Sequence, residues 1–183
     1  MTDVHLWWIG ADAPDNELLD DVRRHVEVAF GVRARHYRHT DRPVHAFDHR
    51  RGQHSSTEIL RWLVQRGIPA GRVLAITDGD LFIPILTFVY GEAQLGGAAA
   101  VVSTARLWPD PDVRPDPVLL RARAVKECLH ELGHTFGLLH CPLPQCVMSR
   151  SVNVTEVDAK LPVLCSDCVQ RYREQLPRKG ELP

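Results

Sequence analysis

The run HELGHTFGLLH constrains this chain more than any other stretch of its sequence. His130 and His134 are four residues apart, so on a helix they lie one turn apart on one face and both reach a single metal ion. Glu131 is not a ligand in this spacing; it flanks the open coordination position and can accept a proton from a zinc-activated water. Gly137 can adopt a positive φ just past the helix and so return His140 to the ion. The run therefore predicts a catalytic zinc site with three histidine ligands.

The flanking sequence predicts that this run ends a long helix. Asp116 is a good N-cap residue, and Pro117 suits the first helical position because its missing N–H has no helical partner there. We predict a helix from Pro117 to about Phe136. Its apolar row consists of Leu120, Ala124, Cys128 and Leu132. The histidines lie on another row, so the helix can pack on one side and bind metal on the other, and Cys128 is predicted to be a packed core thiol.

Four of the five cysteines lie near the end of the chain. They form two close pairs separated by a loop: Cys141, Cys146, Cys165 and Cys168. This spacing fits a closed tetrahedral zinc site with four cysteine ligands, whose role is structural because it leaves no position for water. Buried free thiols and disulfides are the alternatives. Together with the three histidines, the sequence predicts two zinc ions per chain.

The rest of the chain alternates apolar runs with helical patterns, which predicts an α/β (mixed α+β) fold with a mixed, mostly parallel sheet and packed helices. The predicted elements are a first strand within residues 1–10, a helix over 15–30, a strand over 32–37, a long polar loop over 39–54, a helix capped by Ser56 and running to about Arg66, a strand over 73–76, apolar segments over 85–90 and 98–103, a Pro/Asp-rich loop over 108–117, and a last helix over 167–176 that packs back on the body. For residues 91–97 a bulged edge strand and a simple turn are equally open. We divide the chain into residues 1–137, with the sheet and active-site helix, and residues 138–183, a small zinc-braced subdomain.

Composition argues against several classes of function. The 183 residues carry a formal net charge of -1 and scattered basic residues, which speaks against a nucleic-acid partner. No apolar run approaches the roughly 20 residues that span a bilayer, and the start lacks the features of a signal peptide. We therefore expect a monomer in the cytoplasm. Because that compartment is reducing, we expect the clustered cysteines to bind metal rather than form disulfides. One stretch holds irregularly spaced histidines that we expect to be exposed loop residues rather than a third metal site: His36, His39, His45, His49 and His54.

Several motifs between residues 72 and 168 occur together. They are the HELGHTFGLLH run, the Cys141 that follows it directly, Cys146-Val147-Met148, Cys165-Ser166-Asp167-Cys168, and RVLAITDGDLFIPILTFVYGEAQLGGAAAVVSTARL upstream. In this combination the chain resembles the archaemetzincins, a compact branch of the metzincin zinc proteases. The resemblance implies that the three histidines bind a catalytic zinc ion and the four cysteines a second one. It also implies that Met148 forms the Met-turn beneath the catalytic metal.

These features predict a zinc-dependent peptidase that hydrolyses peptide bonds with a zinc-activated water and Glu131 as general base. We expect the strands between Leu86 and Ser103 to offer a sheet edge that an extended peptide joins. The alternative is a catalytically silent zinc-binding interaction module, against which an intact Glu131 and an open metal position argue. A nucleic-acid binder that uses the cysteines as a zinc ribbon is disfavoured by the near-zero net charge.

Overall fold

The computed structural model describes residues 2–11, 16–38, 41, 43–68, 70–108 and 116–176. The strands are β1 (Asp3–Trp8), β2 (Arg33–Arg38), β3 (Phe47–Asp48), β4 (Gln53–Ser55), β5 (Arg72–Thr77), β6 (Leu81–Phe82), β7 (Gly91–Ala93) and β8 (Ala99–Ser103). The helices are α1 (Asn16–Phe30), α2 (Ser56–Gln65), α3 (Pro117–Thr135), α4 (Val154–Ala159) and α5 (Ser166–Gln175). Predictions that concern Met1, Asp15, His39, residues 109–115 or residues 177–183 lie outside the described residues. Among the helices of the described ranges, none combines the length and apolarity needed to cross a membrane.

Five strands form the main sheet, in the order β2-β1-β5-β8-β7. All neighbouring strands are parallel except β7, which runs antiparallel to β8 at one edge. Strands β5 and β8 are almost wholly buried, as expected for central parallel strands that are covered on both faces. A small second sheet has the order β3-β4-β6. The predicted mixed, mostly parallel sheet with packed helices is therefore confirmed.

Helices cover both faces of the main sheet because successive side chains of a strand point to opposite faces. Along β1, Leu6 and Trp8 contribute to the core that α1 and α3 complete, whereas Trp7 belongs to the smaller core on the side of α2. Helix α3 also contacts β7 and β8. This packing brings the helix that carries the histidine run to the antiparallel edge of the sheet.

The prediction of one continuous polar loop over residues 39–54 is wrong. Its described part holds a 3-10 turn (Val44–Ala46) and a hairpin of β3 and β4. The Asp48 side chain closes the hairpin by accepting the backbone N–H groups of Arg50 and Arg51 at 2.8 and 3.2 Å. A polar composition conceals such a turn because its hydrogen bonds come from the same residues that are typical of loops.

Two other predictions were wrong in their details. Ser55, not Ser56, caps helix α2, because its hydroxyl accepts the N–H of Glu58 at 3.3 Å. The apolar segment over 85–90 forms no strand beyond an isolated bridge, and Ile85 is 86% exposed, so its apolar residues do not mark a buried strand. Of the open segment over 91–97, the first three residues are the edge strand β7 and the rest is irregular.

Helix α5 packs back on the body, as predicted. The Tyr172 hydroxyl donates a hydrogen bond to the carbonyl of Phe30 at 2.6 Å. The Tyr172 ring also contacts the rings of Phe30 and Phe136. The last described helix is therefore anchored to the ends of both α1 and α3.

Candidate active site and second metal centre

Helix α3 carries the two histidines that are one turn apart. Asp116 caps it as predicted, by accepting two backbone N–H groups of the first turn. Gly137 follows the helix with a φ of +85°, a conformation that residues with a Cβ rarely adopt. Its N–H donates to the carbonyl of His134 at 2.9 Å, which closes the turn. The chain therefore reverses just after α3 and brings His140 back toward the helix.

The ring nitrogens of the three histidines converge. His130 Nδ1 donates to the carbonyl of Val147 at 2.9 Å. His134 Nδ1 donates to the carbonyl of Leu138 at 2.7 Å. Each bond favours the tautomer that leaves Nε2 with a free lone pair, as in metal-binding histidines. One nitrogen of His140 completes the group, in which the three ligand atoms all lie within 4.8 Å of one another.

A zinc ion fits this group of nitrogens. Tetrahedral ligands about 2.1 Å from zinc are about 3.4 Å apart, and the Nε2 atoms of His130 and His134 are 3.2 Å apart. Burial lowers the pKa of His130, His134 and His140, so the neutral rings that a metal requires are favoured. The charge of Arg150 lowers the pKa of His140 further.

Glu131 is buried at the same place on α3. Burial raises its pKa well above the usual range, the carboxylate of Glu127 raises it further, and the charge of Lys160 opposes the rise. The Glu131 side chain has room because residue 91 is glycine: a Cβ there would lie 2.6 Å from Glu131 Cγ and 2.6 Å from the carbonyl oxygen of Val101. Edge strand β7 therefore passes directly against the carboxyl-bearing side chain.

A cleft of about 310 Å³ runs along this part of the molecule. Its floor includes His130, Glu131 and His140, and its walls are the segments 86–91 and 150–152. The wall formed by residues 86–91 leads into β7, the last strand of the main sheet. The cleft thus combines converging metal-ligand atoms, a carboxyl group and a sheet edge.

A buried ion pair lies behind the cleft. Lys160 Nζ is 2.9 Å from Glu127 Oε1, and the two side chains are 0% and 4% exposed. Burial raises the pKa of Glu127, and Lys160 opposes that rise. A second pair, Arg123 with Asp158, joins α3 to α4 through N–O distances of 2.8 and 2.7 Å. We did not predict these residues; the one available signal is that Glu127 lies one turn before Glu131 on the same helix.

The four clustered cysteines also come together, with their Sγ atoms within 4.8 Å of one another. The distances from Cys141 Sγ to Cys165 Sγ and from Cys146 Sγ to Cys168 Sγ are both 3.7 Å. Disulfide sulfurs are about 2.05 Å apart, whereas a tetrahedral zinc site with bonds of about 2.3 Å has sulfurs about 3.8 Å apart. All four thiols are free. The donor set and its spacing fit a zinc ion.

Cys165 occupies the N-cap position of helix α5. The backbone N–H of Cys168 is the main cause of the lowered pKa of the Cys165 thiol. Thiolates are the form of cysteine that binds metals, and helix N-termini favour them. Cys128 differs, because it lies in the main core and burial raises the pKa of its thiol. It is a packed core residue, as predicted.

Met148 lies beneath α3. Its Sδ occupies the space that a Cβ on Gly133 would need, and the side chain is completely buried. Its carbonyl accepts the N–H of Cys141 at 2.9 Å. The thioether therefore packs against the helix between the two histidines, where the sequence predicted a Met-turn.

The remaining histidines of the described ranges are not grouped as metal ligands. Within the described ranges, only the histidine group and the cysteine group bring together three or more potential ligands. His36, His45 and His49 are exposed as predicted, but His36 lies on strand β2 rather than in a loop. His54 is half-buried on β4. A cavity of about 580 Å³ lies at the carboxyl ends of β1 and β5 and is lined by His49 and His54, but it contains none of the candidate zinc ligands.

Comparison with known proteins identifies the family of this chain. Residues 61–174 match the sequence model of Peptidase family M54. The archaemetzincin of Methanopyrus kandleri is 41% identical over 167 residues, which are 90% of this chain and 91% of that protein. A crystal structure of archaemetzincin from that organism has a TM-score of 0.85 at 40% identity, over 97% of this chain and 96% of the other. The archaemetzincin of Archaeoglobus fulgidus, crystallised as a complex with malonate, has a TM-score of 0.78 at 30% identity, over 93% of this chain and 99% of the other.

The fold, the three converging histidines on and after α3 and these matches define a zinc-dependent metallopeptidase. More particularly, the chain belongs to the archaemetzincins, which are peptidase family M54.

Proposed function

We propose that His130, His134 and His140 bind the catalytic zinc ion and that Glu131 is the general base of peptide hydrolysis. The observation that carries this proposal is that the converging nitrogens and the Glu131 side chain line one cleft. When bound, the zinc ion polarises the scissile carbonyl and makes a water molecule more acidic. Glu131 takes the proton from the attacking water and passes it to the leaving amine. Burial raises the pKa of Glu131, which makes its carboxylate a stronger proton acceptor.

The substrate in this proposal is an extended peptide that lies against β7. This strand is last in the order of the main sheet, so a peptide can add to its outer side through main-chain hydrogen bonds. Because a Cβ at Gly91 would collide with Glu131, the peptide would run close to the general base. The proposal thus places the scissile bond above α3, between β7 and the segment 150–152.

We further propose that Cys141, Cys146, Cys165 and Cys168 bind a second, structural zinc ion. The match between their sulfur spacing and a tetrahedral zinc site supports this assignment. Residues 138–183 would then form a small zinc-braced subdomain beside the larger part, residues 1–137. Met148 would be the Met-turn of a metzincin, which its position beneath Gly133 supports.

The cellular setting we propose is a monomer in the cytoplasm, with no nucleic-acid partner. The free thiols of all five cysteines support a reducing compartment. The formal net charge of -1 supports the absence of a nucleic-acid partner. Size-exclusion chromatography with light scattering checks the oligomeric state.

Zinc content and cleavage together test the proposal. We expect two zinc ions per chain, of which one is lost in His140→Ala and the other in Cys165→Ser. Glu131→Gln should keep both ions but lose about 100-fold or more in the cleavage of a peptide library, since general-base catalysis contributes about that much. Glu174→Gln is the matched control, because Glu174 is exposed on α5, away from the cleft.

Two outcomes would contradict the proposal. If Glu131→Gln cleaved peptides as fast as the wild type, the role of the carboxylate would be refuted. If the zinc-loaded wild type cleaved no peptide of the library, the silent zinc-binding module would replace the enzyme.

A further inference from the structure

Arg150 is a positively charged residue of the cleft, and it has no counterion among the described residues. It follows the buried Met148 by two residues and lines the same cavity as His130, Glu131 and His140. Among the described residues, none forms a hydrogen bond or ion pair with its guanidinium. Arginine presents several N–H donors in a planar fork, so an unpaired guanidinium at the wall of a cleft is available to an external acceptor.

Two other arginines of the chain are paired with carboxylates. Arg123 makes two hydrogen bonds to the carboxylate of Asp158. Arg106 does the same with Asp80, at 3.0 and 2.6 Å. Both have their carboxylate within the chain. Arg150 differs because no carboxylate of the described residues pairs with it.

The acidic groups of the cleft do not supply that carboxylate. Glu127 is already paired with Lys160. The backbone N–H of Cys141, which follows His140, donates to the carbonyl of Met148 at 2.9 Å, two residues before Arg150. Arg150 therefore lies toward the His140 side of the cleft.

Ser151 adds a second unused polar group. Its hydroxyl is buried and has no hydrogen-bond partner, and the residue lines the same cavity. A buried hydroxyl without a partner costs free energy, so native proteins rarely leave one unpaired. A ligand with two acceptor oxygens beside Arg150 would also supply an acceptor for this neighbour.

We propose that Arg150 binds a carboxylate of the peptide substrate on the His140 side of the cleft, and so makes the site selective for peptides with a negative charge there. The carboxylate is either an Asp or Glu side chain or the C-terminal carboxylate, since a guanidinium binds both in the same way. This inference deepens the proposed function and rests on it. In this inference Arg150 acts in recognition and takes no part in the proton transfer.

The probe is a set of octapeptides with one common sequence, in which each position in turn carries Glu or Gln. Each peptide is made with a free carboxyl or an amide at its C-terminus. Binding is measured by fluorescence anisotropy to zinc-loaded Glu131→Gln, and cleavage is measured with the wild type. A preference for Glu at one position indicates a side-chain carboxylate, and a preference for the free carboxyl indicates the chain end.

The test variant is Arg150→Gln, made both alone and in the Glu131→Gln background. We expect the preferred carboxylate peptide to bind and to be cleaved about 10- to 100-fold less well, because hydrogen bonds to charged groups contribute that much. The preference for this peptide over its uncharged counterpart should fall by the same factor. Arg150→Lys should restore part of the preference, and Arg171→Gln, an exposed arginine on α5, should change nothing. Zinc content and circular dichroism confirm that each variant is folded.

The outcomes separate this inference from the proposed function. If the peptides bind with an Arg150-dependent preference but none is cleaved, the peptidase proposal fails and the carboxylate site stands. If peptides are cleaved but Arg150→Gln changes neither preference nor affinity, the carboxylate site is refuted and the peptidase proposal stands. Absence of any carboxylate preference in binding also refutes it.

Discussion

Replacing Lys160 by methionine removes one partner of a buried ion pair and leaves the other in place. The Lys160 and Glu127 side chains are 0% and 4% exposed, with 2.9 Å between Nζ and Oε1. Removal of one partner of such a pair costs about 3–5 kcal/mol, because the remaining charge stays desolvated without its attraction. Methionine has a similar length, so a cavity adds little. We expect Lys160→Met to lower the free energy of unfolding by about 3–5 kcal/mol.

The effect should depend on pH in one direction. Burial raises the pKa of Glu127 in the folded protein, and loss of Lys160 removes a charge that opposes the rise. A carboxyl group whose folded pKa is raised binds more protons in the folded state, so stability falls as the pH rises above the unfolded value of about 4.3. The deficit of Lys160→Met should therefore grow from acidic to neutral pH.

Urea unfolding followed by tryptophan fluorescence measures this, at a fixed free zinc concentration because zinc bound to the folded state adds stability. Lys126→Met is the matched control, since Lys126 donates only to the carbonyls of Val157 and Asp158 and lies partly exposed. The double variant Glu127→Leu with Lys160→Met should lie within about 2 kcal/mol of the wild type, because apolar replacement of both partners leaves no buried charge. If Lys160→Met cost no more than Lys126→Met, or if the double variant were as unstable as the single one, the argument would be refuted.

Two further substitutions test close contacts. Gly91→Ala should reduce peptide cleavage at least tenfold while zinc content stays normal. The reason is that the new Cβ would lie 2.6 Å from Glu131 Cγ and from the backbone carbonyl oxygen of Val101, which has no room to move. Unchanged cleavage would show that β7 does not confine Glu131. Tyr172→Phe should lower the free energy of unfolding by about 1–2 kcal/mol, because the buried carbonyl of Phe30 loses its 2.6 Å hydrogen bond; urea unfolding with no change would show that water replaces the hydroxyl.

Helix α3 and the central strands were predictable because their signals are local. An N-cap aspartate, a proline at the first turn and one apolar row determine where α3 begins and how it packs. Strands β5 and β8 are continuous apolar runs, which is what burial on both faces of a parallel sheet demands. The spacing of the proposed histidine and cysteine ligands is likewise visible in the sequence.

The features that escaped prediction depend on partners distant in sequence. Lys160 is completely buried, although lysine is normally exposed, because a glutamate 33 residues earlier neutralises it. Ile85 is exposed, although its apolar neighbours suggested a strand, because that segment forms the wall of the cleft instead of a core. Arg150 likewise escaped prediction. A single exposed arginine forms no sequence pattern, and its proposed role depends on the cavity that it lines.

The two proposed zinc centres share one short segment, residues 140–148. His140 is followed directly by Cys141, and Cys146 is followed by Val147, whose carbonyl orients the first histidine of α3 at 2.9 Å. Cys141 is therefore adjacent to a proposed histidine ligand, and Cys146 is adjacent to the residue that orients His130. Loss of the second zinc ion would free both cysteines and loosen both neighbours at once. A structural metal at this position would therefore support catalysis by holding the floor of the cleft, without touching the substrate.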